Sequence, residues 1–135
     1  VWLFSKADSK LGDGGVDNIP YKLATSHTGD EMINNEYYIV QWGADRITAD
    51  PLQLDGSEMK ATFWNSPQIT TAAWTDDGDT LVVDSKITFT RGERSFDMTS
   101  TEKWSLQKRG TVLKIEQHST SFRGERTATL MYEKE

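Results

Sequence analysis

Between Asp76 and Tyr132 apolar and polar residues alternate in four runs, and the breaks between runs are short Gly-containing turns. Asp77-Gly78, Gly92-Glu93, Arg109-Gly110 and Gly124-Glu125 fall at near-regular spacing, and the tetrapeptide Arg-Gly-Glu-Arg occurs twice, at 91–94 and 123–126. Tight hairpins need positive φ, which Gly adopts at little cost. A period of two interrupted by such turns specifies antiparallel strands joined as a meander. Helical periodicity is nowhere sustained.

Two-residue loops also fix which residues face one another. Asp77-Gly78 sets Trp74 opposite Leu81 and Ala72 opposite Val83. Gly92-Glu93 sets Phe89 opposite Phe96, Ile87 opposite Met98, Ser85 opposite Ser100, Val83 opposite Glu102 and Leu81 opposite Trp104. Arg109-Gly110 sets Leu106 against Leu113, Trp104 against Ile115 and Glu102 against Gln117. Gly124-Glu125 sets Ser121 against Ala128, Ser119 against Leu130 and Gln117 against Tyr132. The four turns agree on one inward face. The opposite face carries Val82, Asp84, Lys86, Thr88, Asp97, Thr99, Thr101, Lys103, Lys114, Glu116 and His118, a composition suited to water.

The first half reads less sharply. Residues 1–5 suit a first strand or a plug that anchors Trp2, and Leu11 to Asn18 is Gly- and Asp-rich turn material without the ligand spacing of a calcium loop. Tyr21–Thr28 and Met32–Trp42 form strands about Gly29-Asp30, but the second has aromatics on both faces and no assignable inward side. Pro51 interrupts a strand over 46–54 and marks it as an edge or a bulge. Asp55-Gly56 turns into Met59–Trp64, Asn65-Ser66-Pro67 breaks that strand, and Ile69–Thr75 follows. The expected fold is all-β, one domain over 1–135, with an antiparallel up-and-down meander closed into a barrel of about 8–9 strands and little helix.

Inside such a barrel the inward face is layered. Trp74, Leu81, Trp104, Leu106, Leu113 and Ile115 pack one end; Ile87, Phe89, Phe96 and Met98 occupy the other. Between them lies a belt of small or polar groups: Thr70, Ser85, Ser100, Glu102, Gln117, Ser119 and Tyr132. Polar groups converging within apolar walls mark a binding site. The candidate ligand-binding residues are therefore Glu102, Gln117, Tyr132, Ser85, Ser100 and Ser119, with Trp104 beneath them. An inward carboxylate must be paired, hydrated or protonated. Glu102 thus either is held by Gln117, Tyr132 or an Arg, or anchors a ligand, or works as an acid–base group.

The formal charge of −6 argues against a nucleic-acid partner, and no apolar run reaches the length of a membrane span. Cysteine is absent, and with it disulfides, thiolate metal sites and thiol nucleophiles. Two separated histidines make no metal site. No Gly-x-Ser-x-Gly elbow or Gly-rich phosphate loop is present, so neither a catalytic set nor a cofactor is expected. The chain opens at Val1 rather than Met, as expected if an upstream segment is removed, either a cleaved export signal or residues trimmed at the bench.

The segment Trp2…Ser5-Lys6-Ala7-Asp8-Ser9-Lys10-Leu11-Gly12 resembles the start of a group of small bacterial lipocalin-like proteins. Trp74…Asp77-Gly78-Asp79-Thr80-Leu81-Val82-Val83, Thr101-Glu102-Lys103-Trp104-Ser105-Leu106 and Arg123-Gly124-Glu125…Leu130-Met131-Tyr132-Glu133-Lys134 are also similar to theirs. The likeness is best over 74–135 and weak over 12–70, and the Gly-x-Trp signature of true lipocalins is incomplete. It implies a calycin-type barrel, often exported (periplasmic or extracellular), usually without an assigned reaction. Three functions follow as expectations. The first is non-catalytic binding of a small hydrophobic or amphipathic molecule by a monomer or weak dimer. The second is a barrel enzyme of isomerase, cyclase or hydratase type with Glu102 as general acid or base. The third is a structural or interaction domain whose belt is filled by Tyr37, Tyr38, Phe63 and Trp64.

Overall fold

The computed structural model describes residues 1–11, 19–39, 43–63, 65–121 and 124–135. Ten strands form one antiparallel sheet: β1 (Trp2–Phe4), β2 (Lys22–Thr28), β3 (Glu31–Tyr38), β4 (Arg46–Gln53), β5 (Met59–Phe63), β6 (Ser66–Trp74), β7 (Thr80–Arg91), β8 (Arg94–Gln107), β9 (Val112–Ser121) and β10 (Gly124–Lys134). Their order in the sheet is β4-β3-β2-β1-β10-β9-β8-β7-β6-β5, an up-and-down meander in which β1 joins the ends of the chain. The sheet curls into a nearly closed barrel. Its seam lies between β4 and β5 and is held by the Gln53 amide on Met59 Sδ (3.1 Å), an Asp55–Ala73 bridge and the Gly56 amide on the Ala72 carbonyl (3.0 Å). The single helical turn described, Lys108–Gly110, is of 3-10 type.

The count is ten rather than eight or nine because two weak segments become full members of the sheet. Trp2–Phe4 pairs with both β2 and β10 instead of plugging the barrel, and the Pro51 segment pairs along its length with β3. Pro51 lies on a strand that ends the sheet, where its missing N–H interrupts no further ladder. The segment after β1 also follows β10: Lys10 bridges Thr129, and the Ser9 hydroxyl accepts the Met131 amide at 2.9 Å.

Three of the four turn-derived registers hold residue for residue: Trp74 faces Leu81, Phe89 faces Phe96, Glu102 faces Gln117 and Leu106 faces Leu113. The fourth is corrected. Ser121 pairs with Gly124, Gln117 with Ala128, Ile115 with Leu130 and Leu113 with Tyr132. Gly124 therefore begins a strand, at φ 102°, instead of forming a loop; residues 122–123 lie outside the described residues. The same tetrapeptide forms a hairpin tip at 91–94, whereas Gly124–Arg126 of its second copy lie in β10, because core packing overrides the turn signal. The expected register sets Leu130 against Ser119; the observed one sets it against Ile115, apolar on apolar. The displacement is even, so the inward face is unchanged.

The core cluster is Leu23, Leu52, Leu54, Ala72, Leu81, Val83, Trp104, Leu113, Ile115, Leu130 and Tyr132. Two expected members are corrected: Trp74 is 45% and Leu106 59% exposed. Their parity is inward, but each stands near the end of its strand, where the wall stops and nothing crosses over it. The outward face is as expected, with Asp84, Lys86, Asp97, Thr99, Lys103, Glu116 and His118 exposed. Cross-strand bonds tie it together, including Thr101 to Asp84 (2.6 Å) and Thr88 to Asp97 (2.8 Å). No helix among the described residues is long and apolar enough to cross a membrane, a statement that does not bear on strands.

Candidate functional site

The register of β8 and β9 puts Glu102 beside Gln117 on the inner wall. Gln117 Nε2 donates to Glu102 Oε2 at 2.6 Å, and Trp104 Nε1 donates to Glu102 Oε1 at 3.3 Å. Each carboxylate oxygen therefore has a neutral donor. Burial nonetheless pushes the Glu102 carboxyl above its ordinary value, against the pull of those two bonds.

The opposite wall supplies what the sequence left unassigned. Along β3 the inward residues are Met32, Asn34, Glu36 and Tyr38, and their neighbours on β4 are Leu52, Asp50, Thr48 and Arg46. Asn34, Glu36 and Asp50 line one cavity of about 50 Å³ with Glu102, Gln117 and Trp104, between apolar walls from Leu23, Ile115, Leu130 and Tyr132. Tyr38 Oη donates to Glu36 Oε2 at 2.9 Å. Burial raises the Glu36 carboxyl to about 7, opposed by the Tyr38 bond and the Arg46 charge and reinforced by Asp50 and Glu102. Asp50 is raised to about 6, by burial and then by Glu102. Arg46 is itself exposed and stacks over the Tyr38 ring at 4.3 Å. Among the described residues the ion pairs are Lys114–Glu116 and His118–Glu125, so no basic side chain is ion-paired with the three interior acids.

Asn34 lies among these acids at 2% exposure, and its Oδ1 has no hydrogen-bond partner. Such an orphan costs roughly 1–3 kcal/mol unless something supplies a proton donor.

Of the candidate residues, the cavity brings together Glu102, Gln117, Trp104 and Tyr132. Tyr132 contributes packing rather than a free hydroxyl: Oη donates to the Pro20 carbonyl at 2.9 Å, and the ring tilts against Phe4 at 5.5 Å. The three serines stand outside the cavity lining. Ser100 and Ser119 pair with each other one inward step above Glu102 and Gln117, and Ser85 contacts Gln68 and Thr70 at 3.3 Å. Beyond them Ile87, Phe89, Phe96 and Met98 are partly buried, with the two Phe rings stacked at 5.4 Å. Tyr37 does not fill the belt, since it faces out beneath Lys22 (4.3 Å), whereas Tyr38 turns inward to Glu36. The Phe63 side chain, Trp64 and the Gly-rich 12–18 loop lie outside the described residues.

Asn34, Glu36 and Asp50 escaped the sequence because β3 and β4 are joined by residues 39–45 rather than by a two-residue turn, leaving their register open. One signal was present: Asp50, Leu52 and Leu54 share a parity, and Leu52 and Leu54 are core. Among the described residues no three His, Asp or Glu side chains converge as metal ligands. No protein-family model matches this chain, and neither a curated protein nor a solved structure does so.

Proposed function

We propose that this protein is a non-catalytic binding module, a lipocalin-like barrel that holds the polar end of a small amphipathic molecule between β3–β4 and β8–β9. The observation that carries this reading is the cavity of about 50 Å³, in which Asn34, Glu36, Asp50 and Glu102 converge inside apolar walls. Its size suits a head group, since a water molecule takes about 30 Å³ in the liquid. The body of the ligand lies above it, along the Ser85–Ser100–Ser119 step and among Ile87, Phe89, Phe96 and Met98. From Glu102 to Met98 is four residues of β8, roughly 13 Å at about 3.4 Å per residue. Export from a bacterial cell belongs to the same proposal and rests on the sequence resemblance alone. Native against denatured mass spectrometry of protein from its own host tests the function. A small molecule released on unfolding supports it; a bare polypeptide mass, repeated after exposure to a metabolite and lipid extract, defeats it.

A second reading is favoured by one observation. Acid–base catalysis needs a second titratable group inside the site, and Glu36 and Asp50 supply it, with Glu36 raised to about 7. Under this reading Glu102 or Glu36 relays a proton on a bound substrate, as in an isomerase or hydratase. Covalent labelling by a carboxyl-reactive substrate analogue at Glu36 or Glu102 distinguishes it from simple binding.

A further inference from the structure

We propose that the group taken between Asn34, Glu36 and Asp50 on one wall and Glu102 on the other is a protonated amine, the head of an alkylammonium ligand. This deepens the binding reading above and depends on it. Two independent observations point the same way. The first is the charge balance of the cavity: three carboxyl groups line it, and the described residues place no buried cation among them. The only basic group acting on Glu36 is Arg46, which is exposed, stacks on the Tyr38 ring and forms no ion pair with the acids. The second is Asn34 Oδ1, an acceptor at a residue 2% exposed and without a partner. It lacks a donor, and an ammonium brings three.

The same features narrow the chemistry. A carboxylate or phosphate head is repelled by three acids and gives Asn34 Oδ1 no proton. A bare metal ion needs converging ligands, and no three acids or histidines of the described residues are so placed. A quaternary ammonium carries no N–H for Asn34. A primary ammonium is compact enough for about 50 Å³ and can bond several of the acceptors that surround it. Glu102 is pre-oriented by Gln117 and Trp104, and Glu36 by Tyr38, so both acids are held in place by bonds within the walls before a ligand arrives.

Binding then expels protons. The empty site stores them on carboxyls raised by burial, with Tyr38, Tyr132 and the outlying Arg46 as the other titratable or charged groups acting there. An incoming ammonium replaces them as the compensating charge. Affinity therefore rises with pH over about 5 to 7, by up to about tenfold per unit for each proton released.

The probes are n-octylammonium, 1-octanol and octanoate, titrated calorimetrically into the full chain. Octylammonium is expected to bind about tenfold or more tightly than octanol and octanoate at about pH 7.5, where a factor of ten is a resolvable difference. Glu102→Gln and Asp50→Asn, each checked for folding by circular dichroism, are expected to weaken octylammonium several-fold and octanol by a smaller factor; an equal loss for both overturns the cation assignment. The wild-type pH dependence supplies a readout that needs no variant. Octanol or octanoate binding as tightly as octylammonium, or octylammonium affinity flat between about pH 5 and 7, overturns the cation assignment while the interior-binding proposal stands. Failure of all three probes to bind removes both.

Discussion

Replacing Glu36 by Gln separates the ionisation of the site from its shape. Burial lifts this carboxyl from 4.5 to about 7. At about 1.36 kcal/mol per unit, ionising it in the folded chain costs about 3 kcal/mol more than in the unfolded chain. Its partial contact with water, and its coupling to Asp50 and Glu102, bring the expected effect to about 1–3 kcal/mol. The direction follows from proton affinity. The native carboxyl holds its proton more tightly than the unfolded one, so its contribution is full below about 4.5 and is lost as pH rises through about 7. Asp50, raised from 3.8 to about 6, acts with the same sign over a lower window. Asp55 and Asp77 are lowered by hydrogen bonds and act with the opposite sign, but below 3.8. Wild-type protein should therefore lose stability between about pH 5 and 8, a range set by these carboxyls. Gln keeps an acceptor for Tyr38 Oη and carries no charge. Glu36→Gln should exceed wild type by about 1–3 kcal/mol at pH 8 and match it near pH 4.5, in urea unfolding followed by tryptophan fluorescence. A variant no more stable than wild type at pH 8, or a wild type more stable at pH 8 than at pH 5, refutes the reasoning.

Other substitutions test the packing and the hydrogen bonds. Leu130→Ala, at the buried pairing with Ile115, should cost about 2–5 kcal/mol, whereas Leu106→Ala, exposed at a strand end, should stay within about 0.5 kcal/mol in the same assay. Tyr132→Phe removes the bond to the Pro20 carbonyl and should cost roughly 1 kcal/mol, with faster amide exchange around Tyr21. Gln117→Leu takes the closer donor from Glu102 and should push its carboxyl further up, read by carbon-detected NMR titration; an unchanged or lower titration midpoint would contradict the geometry.

The sheet was legible wherever two-residue turns fixed parity, and the site was legible only on that side. From Thr80 to Gln117 the turns dictated the neighbours of Glu102, including Gln117 itself. Gly124 misled because a glycine marks permissive backbone, not a turn centre, and the cost of facing Leu130 with Ser119 decided between the two. Gly29-Asp30 anchored β3 only to β2, whose own inward face was unassigned, and the long 39–45 connection left β4 without an anchor. Mixed aromatics on both faces of β3 hid the alternation of Asn34, Glu36 and Tyr38, and the polar face of β3 reads as solvent-exposed until Asp50, Leu52 and Leu54 are set against it. Buried acids violate the ordinary rule of polar outside, and local pattern is a poor guide where such a rule is broken.

The seam between β4 and β5 gives the interior acids a mechanical consequence. Glu36 and Asp50 ride on the terminal β3–β4 flap, whereas Glu102 is fixed in the continuous wall, and ladder pairing holds the flap only through β2. Like charges appearing on both sides push that flap outward, against the Gln53–Met59 and Gly56–Ala72 bonds and the Asp55–Ala73 bridge. Deprotonation of the empty barrel thus acts as a wedge and prises the wall apart where it is weakest. A counter-charge of the proposed kind inside would act as a clasp, so that occupancy and wall closure rise and fall together, visible as slowed amide exchange of Gln53 and Gly56.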